Sequence, residues 1–314
     1  MLLAAAAAVP GRSWPASGHD DFEWVDSRRR RALPLRMHWP DGDGPCPLVL
    51  YSHGLGGSRD GADAWVTAWR EAGLAVLQLQ HPGSDREVLA AGWRALRAAA
   101  STEQLLARVA DLRFVLDELA RRRGGQPWSR LRLDAVGLAG HSFGAVTTQA
   151  LAGQRYAAPV SLADARLAAF VVFSPSPARG SSLSVVQQFG AIDRPMLCIT
   201  GSRDDDPLAE GMTAARRAAV FDGLPAGQGR RALLWLDGAD HMSLAGNAAL
   251  PIGWAGAGGR REAEALRGEA RVHALVAWVS TLWWLRWLAD ERMADMTLHA
   301  VPGRLGPDDR WVFD

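Results

Sequence analysis

Residues 131–153 read LRLDAVGLAGHSFGAVTTQALAG and carry the clearest indication of the fold. The first part, 131–139, is mostly apolar and predicts a buried β-strand, and 143–153 predicts a helix. The segment GHSFG at 140–144 joins them and matches the pattern G-x-S-x-G. A sharp strand-to-helix turn needs small residues on both sides of its serine, whose hydroxyl then projects above the sheet edge. The context therefore predicts Ser142 as a nucleophile, against the alternative of a glycine-rich turn with an incidental serine.

Apolar strands and helices alternate along most of the chain on either side of this stretch. Strands are predicted at 22–25, 32–39, 47–51, 74–80, 131–139, 167–173, 195–200 and, as the last strand, 232–236, and helices at 60–72, 101–122, 143–153, 208–221 and 271–289. This order predicts an α/β fold with a mostly parallel central sheet, helices on both faces and the first two strands at an antiparallel edge. Function is then expected at the carboxyl ends of the parallel strands.

The composition is that of a soluble globular protein, with 48% hydrophobic and 22% charged residues in 314. We expect one domain over 21–314 after a lead-in at 1–20, which we interpret as a truncated signal segment because its apolar core lacks a basic n-region. Cytoplasmic and periplasmic or secreted locations both stay open. The Gly/Ala-rich segment 246–268 is predicted as a loop with partial helix near the site.

Charge and cysteine content argue against several kinds of partner. The net charge is +1 and every basic residue is arginine, and we interpret the runs at 28–31 and 121–123 as solvated faces, so no nucleic-acid partner is expected. No apolar run reaches about 18 residues, so no stable membrane insertion is expected. Cys46 and Cys198 form no disulfide framework. The tryptophans of the helix at 271–289 are predicted to pack in the core, and the oligomeric state is left open.

A serine nucleophile needs a base and an acid, in the chain order serine, acid, histidine. His241 is the histidine that fits, because it follows the last predicted strand in GADHM at 238–242. Three adjacent carboxylates follow the strand before it. We favour Asp204, the first of them, as the acid, and expect Asp205 and Asp206 to face solvent or cap the next helix.

Acyl transfer also needs hydrogen-bond donors for the oxyanion. The amide of Phe143 is one candidate, and the amide of Leu55 in the loop HGLGG at 53–57 is the other. His53, Gly54 and His141 are predicted to line the substrate site. We expect no metal and no cofactor.

Four motifs together resemble the α/β-hydrolase superfamily over roughly residues 22–300: SHGLGG at 52–57, QHPGSD at 80–85, GHSFG at 140–144 and GADHM at 238–242. More narrowly, they look like bacterial proteins described as predicted dienelactone hydrolases, which are relatives of the platelet-activating-factor acetylhydrolases. The resemblance implies esterase activity on short or modest acyl groups, without metal or cofactor.

Two departures limit what the resemblance implies. Dienelactone hydrolases are known for a cysteine nucleophile, whereas this chain has Ser142. The plasma type of acetylhydrolase has its acid after the preceding strand, where this chain has SPSP at 174–177 and no carboxylate. We therefore predict a hydrolase of small-molecule carboxylic esters, with a lipase or phospholipid-type esterase as one alternative. A non-catalytic binding protein with the same fold is an alternative of another class, and a peptidase or acyltransferase also stays open.

Overall fold

The computed structural model describes residues 18–158, 160–205, 211–247 and 263–314. Within these ranges the strands are β1 (His19–Asp26), β2 (Arg31–His38), β3 (Cys46–Ser52), β4 (Ala75–Leu79), β5 (Leu131–His141), β6 (Leu167–Phe173), β7 (Met196–Arg203), β8 (Arg231–Asp240) and β9 (Arg310–Phe313). The α-helices are α1 (Asp63–Glu71), α2 (Arg86–Ala90), α3 (Trp93–Ala99), α4 (Thr102–Arg122), α5 (Phe143–Ala152), α6 (Val185–Phe189), α7 (Ala214–Gly223), α8 (Ala263–Leu288) and α9 (Arg292–His299).

All nine of these strands form one sheet, in the order β1-β2-β4-β3-β5-β6-β7-β8-β9. The six strands from β4 to β8 in this order are parallel, and β1, β2 and β9 pair antiparallel at the two edges. β4 lies on one side of β3 and β5 lies on the other, so the order of the strands in the sheet reverses at β3. The carboxyl ends of β3 and β5 flank this point. The predicted mostly parallel sheet with an antiparallel first edge is confirmed.

Helices cover both faces of the sheet, because the central strands are apolar on both sides. One core contains the buried faces of α4, α5 and α7, and the other contains those of α1 and α8. Trp283 and Trp284 of α8 are fully buried in the second core, so the predicted core packing of this tryptophan-rich helix is confirmed for both. Among the helices that the structure describes, none combines the length and the apolar character of a membrane span.

The structure adds one strand and several short helices to the predicted elements. The strand at 232–236 is not the last, since β9 follows and pairs with β8 from Ala232↔Phe313 to Trp235↔Arg310. β9 has only four residues, which are too few to show the alternating pattern of a strand. The helices α2, α3, α6 and α9 are likewise not predicted, because helices this short do not show a clear helical period. The segments 1–17 and 248–262, and with them most of the predicted 1–20 lead-in and of the predicted 246–268 loop, lie outside the described residues, as does Asp206.

Candidate active site

Ser142 lies at the sharp turn between β5 and α5. Its backbone has φ 54° and ψ −113°, a conformation that a residue with a side chain rarely adopts and that the surroundings must hold in place. Glycines on both sides make the turn sterically possible. A Cβ on Gly140 would lie 2.3 Å from the carbonyl oxygen of Gly144, and a Cβ on Gly144 would lie 1.9 Å from the carbonyl oxygen of Ser52. The G-x-S-x-G pattern is therefore required by close backbone packing between β5, α5 and β3.

His241 follows β8 and connects the serine to the predicted acid. Its Nε2 lies 3.0 Å from the Ser142 Oγ, and its Nδ1 lies 2.8 Å from the Asp204 Oδ1. Because a carboxylate only accepts hydrogen bonds, Nδ1 carries the ring proton and Nε2 presents its lone pair to the serine hydroxyl. The structure thus brings Ser142, His241 and Asp204 together in one hydrogen-bonded line.

Asp204 is fully buried and is surrounded by donors. Thr200 Oγ1 donates to its Oδ2 at 2.8 Å, and the Nε of Arg217 lies 3.1 Å from its Oδ1. The same guanidinium lies 3.3 Å from the Nδ1 of His241. A buried carboxylate needs such compensation, because desolvation penalises an isolated charge. By contrast, Asp205 is exposed, as expected, and its Oδ1 accepts the Ala214 amide in the first turn of α7, whose N-cap is Thr213.

The guanidinium of Arg217 also contacts the turn after β6, which is the position of the acid in the acetylhydrolase pattern. Its Nη1 donates to the Ser174 carbonyl at 2.8 Å and to the Ser176 Oγ at 2.9 Å. Sequence reasoning missed this residue. The helical spacing could have indicated it, because Arg217 lies on the same buried face of α7 as Ala214, Val220 and Phe221. An arginine on an apolar helix face needs a polar partner inside the protein.

The loop after β3 lies directly against the serine turn. A Cβ on Gly54 would be 3.0 Å from the His141 Nδ1 and 3.6 Å from the Ser142 Cβ. Gly56 and Gly57 use their amides within the protein, donating to the carbonyls of Ser84 at 2.9 Å and Gly54 at 3.0 Å. In the described part of the chain, the Leu55 amide has no such partner. The amide of Phe143 is at the first position of α5, where no intrahelical acceptor exists.

The two histidines predicted to line the substrate site are both buried. His53 lies 2.6 Å from the Gly54 carbonyl through Nδ1, and its Nε2 accepts the His81 amide at 3.0 Å. His141 Nε2 donates to the His241 carbonyl at 2.9 Å. Burial holds the pKa of both rings well below the usual range, helped by Arg108 beside His53 and by His241 beside His141. Both rings therefore stay neutral and hold backbone groups, and their contact with a substrate stays a prediction.

A second serine–histidine–aspartate arrangement lies beneath this loop. His81 places Nε2 3.0 Å from the Ser52 Oγ and Nδ1 3.0 Å from the Asp111 Oδ2. All three side chains are completely buried, and burial, followed by the charge of Arg108, lowers the pKa of His81 to about 4. Because no substrate can reach Ser52, this arrangement can organise the loop but cannot attack an ester.

The same fold occurs in a solved structure described as dienelactone hydrolase from Anabaena variabilis. The TM-score is 0.54 and the sequence identity is 18%, with 86% of this chain and 99% of that chain covered. The sequence matches no protein-family model and no curated protein. The comparison confirms the predicted fold: this chain has the α/β-hydrolase fold, with the architecture of a dienelactone hydrolase.

Proposed function

We propose that this protein is a serine hydrolase that cleaves small-molecule carboxylic esters through an acyl-enzyme intermediate. The observation that carries the proposal is the position of His241, which lies within hydrogen-bond distance of both Ser142 and Asp204. A serine hydroxyl becomes a useful nucleophile when an oriented base can take its proton. The α/β-hydrolase fold and the strained turn at Ser142 support the same assignment.

Each proposed role follows from the proton positions in the site. His241 Nε2 takes the proton of Ser142 as Oγ bonds to the ester carbonyl carbon, and the carbonyl electron pair moves onto oxygen. Asp204 stabilises the imidazolium that forms. Collapse of the tetrahedral intermediate breaks the carbon–oxygen bond to the alcohol, which leaves with the proton from His241. Water then attacks the acyl group with His241 as base, releasing the acid and restoring the Ser142 hydroxyl.

The oxyanion in this proposal is held by the amides of Leu55 and Phe143. Both are free of partners among the described residues, and Gly54 brings the Leu55 loop against Ser142. Preorganised amides of this kind stabilise the transition state by about 3 kcal/mol for each donor. No step in this sequence needs a metal or a cofactor.

The substrate class is proposed only as far as the nucleophile allows. The similar structure is described as a dienelactone hydrolase, but dienelactone hydrolases are known for a cysteine nucleophile and this chain has Ser142. Dienelactone is therefore not proposed as the substrate. Rates with nitrophenyl esters of increasing acyl length separate the alternatives, because a preference for acetate indicates a closed pocket and rates that rise with length indicate a lipase-like groove.

The test of the proposal is removal of the Ser142 hydroxyl. Ser142→Ala should lower the hydrolysis of nitrophenyl acetate by at least about 10⁴-fold and abolish labelling by a fluorophosphonate. Ser161→Ala, at an exposed position, is the matched control and should keep wild-type rate and labelling. Mass spectrometry should place the label on Ser142 in the wild type. Labelling that survives in Ser142→Ala, or a label on another serine, would contradict the proposal.

A further inference from the structure

Arg108 is a charged residue that α4 carries into the protein interior. Its side chain is completely buried, and among the described residues no carboxylate lies within ion-pair distance of it. Burial lowers its pKa to about 9, with Asp111 and Asp85 opposing the shift, so the guanidinium is charged at neutral pH. Burying a cation without a paired carboxylate is costly. A residue kept there at such a cost calls for a role beyond packing.

The partners of this guanidinium belong to the loop that carries Leu55. Nη1 donates to the His53 carbonyl at 2.7 Å and Nη2 to the Gly54 carbonyl at 3.4 Å, while Nε donates to the Ser84 Oγ at 2.8 Å. The loop is thus held through two successive carbonyls by one rigid fork, and such a fork fixes direction as well as distance.

The direction of the Gly54 carbonyl determines the direction of the Leu55 amide. The two groups belong to one planar trans peptide and point in opposite directions. Three groups surround the carbonyl oxygen of Gly54: the Nδ1 of His53 at 2.6 Å, the amide of Gly57 at 3.0 Å and the Nη2 of Arg108 at 3.4 Å. With the carbonyl held inward, the Leu55 amide must point outward from these buried donors.

The same guanidinium contacts the other oxyanion donor. The Arg108 Cζ lies 4.6 Å from the centre of the Phe143 ring, over its face, in a cation–π contact. Phe143 is the residue whose amide follows the nucleophile. One buried side chain therefore links the two segments, 53–55 and 142–143, that supply the two amides.

From these contacts we infer that Arg108 is a positioning residue, which sets the Leu55 and Phe143 amides at the spacing needed to hold a substrate oxyanion. The inference rests on the proposed function. Asp111, one turn later on α4, supports the same loop through His81, whose backbone amide donates to His53 Nε2. The buried face of α4 thus serves as the support of the oxyanion site.

The test compares Arg108→Met and Arg108→Lys with Arg121→Met, which removes a cation from an exposed position on the same helix. Kinetics with nitrophenyl acetate should show kcat lower by about 10²-fold in Arg108→Met, the lower end of the range for loss of an oxyanion donor. The loss should be about 10-fold in Arg108→Lys, which keeps the charge but lacks the rigid fork. KM should change by less than about 3-fold, because the ester carbonyl in the ground state carries little charge. Arg121→Met should match the wild type.

A second measurement separates positioning from general damage to the fold. An aryl trifluoromethyl ketone adds the Ser142 Oγ to form an oxyanion, whereas the corresponding alcohol cannot. Ketone affinity should fall in proportion to kcat/KM while alcohol affinity is unchanged. If Arg108→Met does not fold, the loss of ketone affinity relative to alcohol affinity is measured in Arg108→Lys instead. Equal losses for ketone and alcohol, or a folded Arg108→Met with wild-type kcat, would overturn the inference. An inactive wild type would instead overturn the proposed function, and the inference with it.

Discussion

Asp204 and Asp205 are neighbours in the chain, but their side chains serve different parts of the molecule. Asp204 is buried against His241, whereas Asp205 is exposed and accepts an amide in the first turn of α7. Asp204→Asn should lower kcat for nitrophenyl acetate by about 10³-fold or more, because an amide carries no charge to stabilise the imidazolium. Asp205→Asn keeps an acceptor for the Ala214 amide and should leave kcat within about 2-fold, in line with an ordinary surface substitution. A larger loss of kcat in Asp205→Asn than in Asp204→Asn would indicate that Asp205 is the acid.

Sequence patterns predict the functional side chains that follow strand ends and miss those that lie inside helices. Ser142, Asp204 and His241 each come directly after a strand, so their order and position are readable. Arg108 and Arg217 lie on helix faces that are mostly apolar, such as the face of α4 that carries Leu105 and Leu112. Their partners include backbone carbonyls that are distant in the chain. Periodicity can flag a buried arginine, but it cannot name the carbonyls that arginine will meet.

The elements themselves are predicted where a long periodic pattern exists. The strand at 167–173 agrees with β6 at both ends, and the helix at 101–122 agrees with α4 to one residue. The start of α7 was predicted too early, at 208, whereas the helix begins at Ala214 after a cap by Thr213. A cap of this kind is set by local hydrogen bonds, and the hydrophobic pattern does not report it.

The contact between α1 and α8 gives a matched pair for a test of stability. Trp65 and Trp69 are both completely buried, one turn apart on α1. Trp69 Nε1 donates to the Ser280 Oγ of α8 at 2.9 Å, whereas Trp65 Nε1 has no partner in the described ranges. Replacement by phenylalanine removes similar volume at both sites. Trp69→Phe should therefore lower the free energy of unfolding by about 1 kcal/mol more than Trp65→Phe, the value of one net hydrogen bond.

Urea denaturation at neutral pH measures this difference. Kinetics with nitrophenyl acetate serve as a check that both variants keep the native fold. Equal losses of unfolding free energy in the two variants would mean that the indole–hydroxyl hydrogen bond contributes nothing to the α1–α8 contact. A larger loss in Trp65→Phe would mean that the difference in packing between the two sites is greater than the value of this hydrogen bond.

The order of the strands in the sheet brings the parts of the candidate site together. The carboxyl ends of β3, β5, β7 and β8 bring together segments that are far apart in the chain. An alternating α/β pattern predicts this convergence, because parallel strands share one carboxyl edge. It does not predict which side chains become buried on the way, and these include three histidines near the site, His53, His81 and His141.

These buried histidines make the stability of the whole fold sensitive to acid. Burial lowers the pKa of His81 to about 4 and holds the pKa values of His53 and His141 well below the usual range. In the unfolded chain each has a pKa of about 6.5, so below that pH the unfolded state binds protons that the folded state does not. The contribution of the neutral histidines to the free energy of unfolding is then fully present above pH ~6.5. It falls as the pH decreases, by up to about 1.4 kcal/mol per pH unit for each histidine.

Urea denaturation between pH 8 and pH 4.5 tests this expectation. The free energy of unfolding should be nearly constant at the upper end and should fall steeply below about pH 6. His38→Gln gives an internal calibration outside the site. Burial lowers the pKa of His38 to about 4, and its Nε2 lies 2.8 Å from the Gln78 Oε1. Removing this group should make the slope shallower without changing kcat at neutral pH. A free energy of unfolding that is flat down to pH 4.5 would mean that the buried histidines take up protons without unfolding the chain.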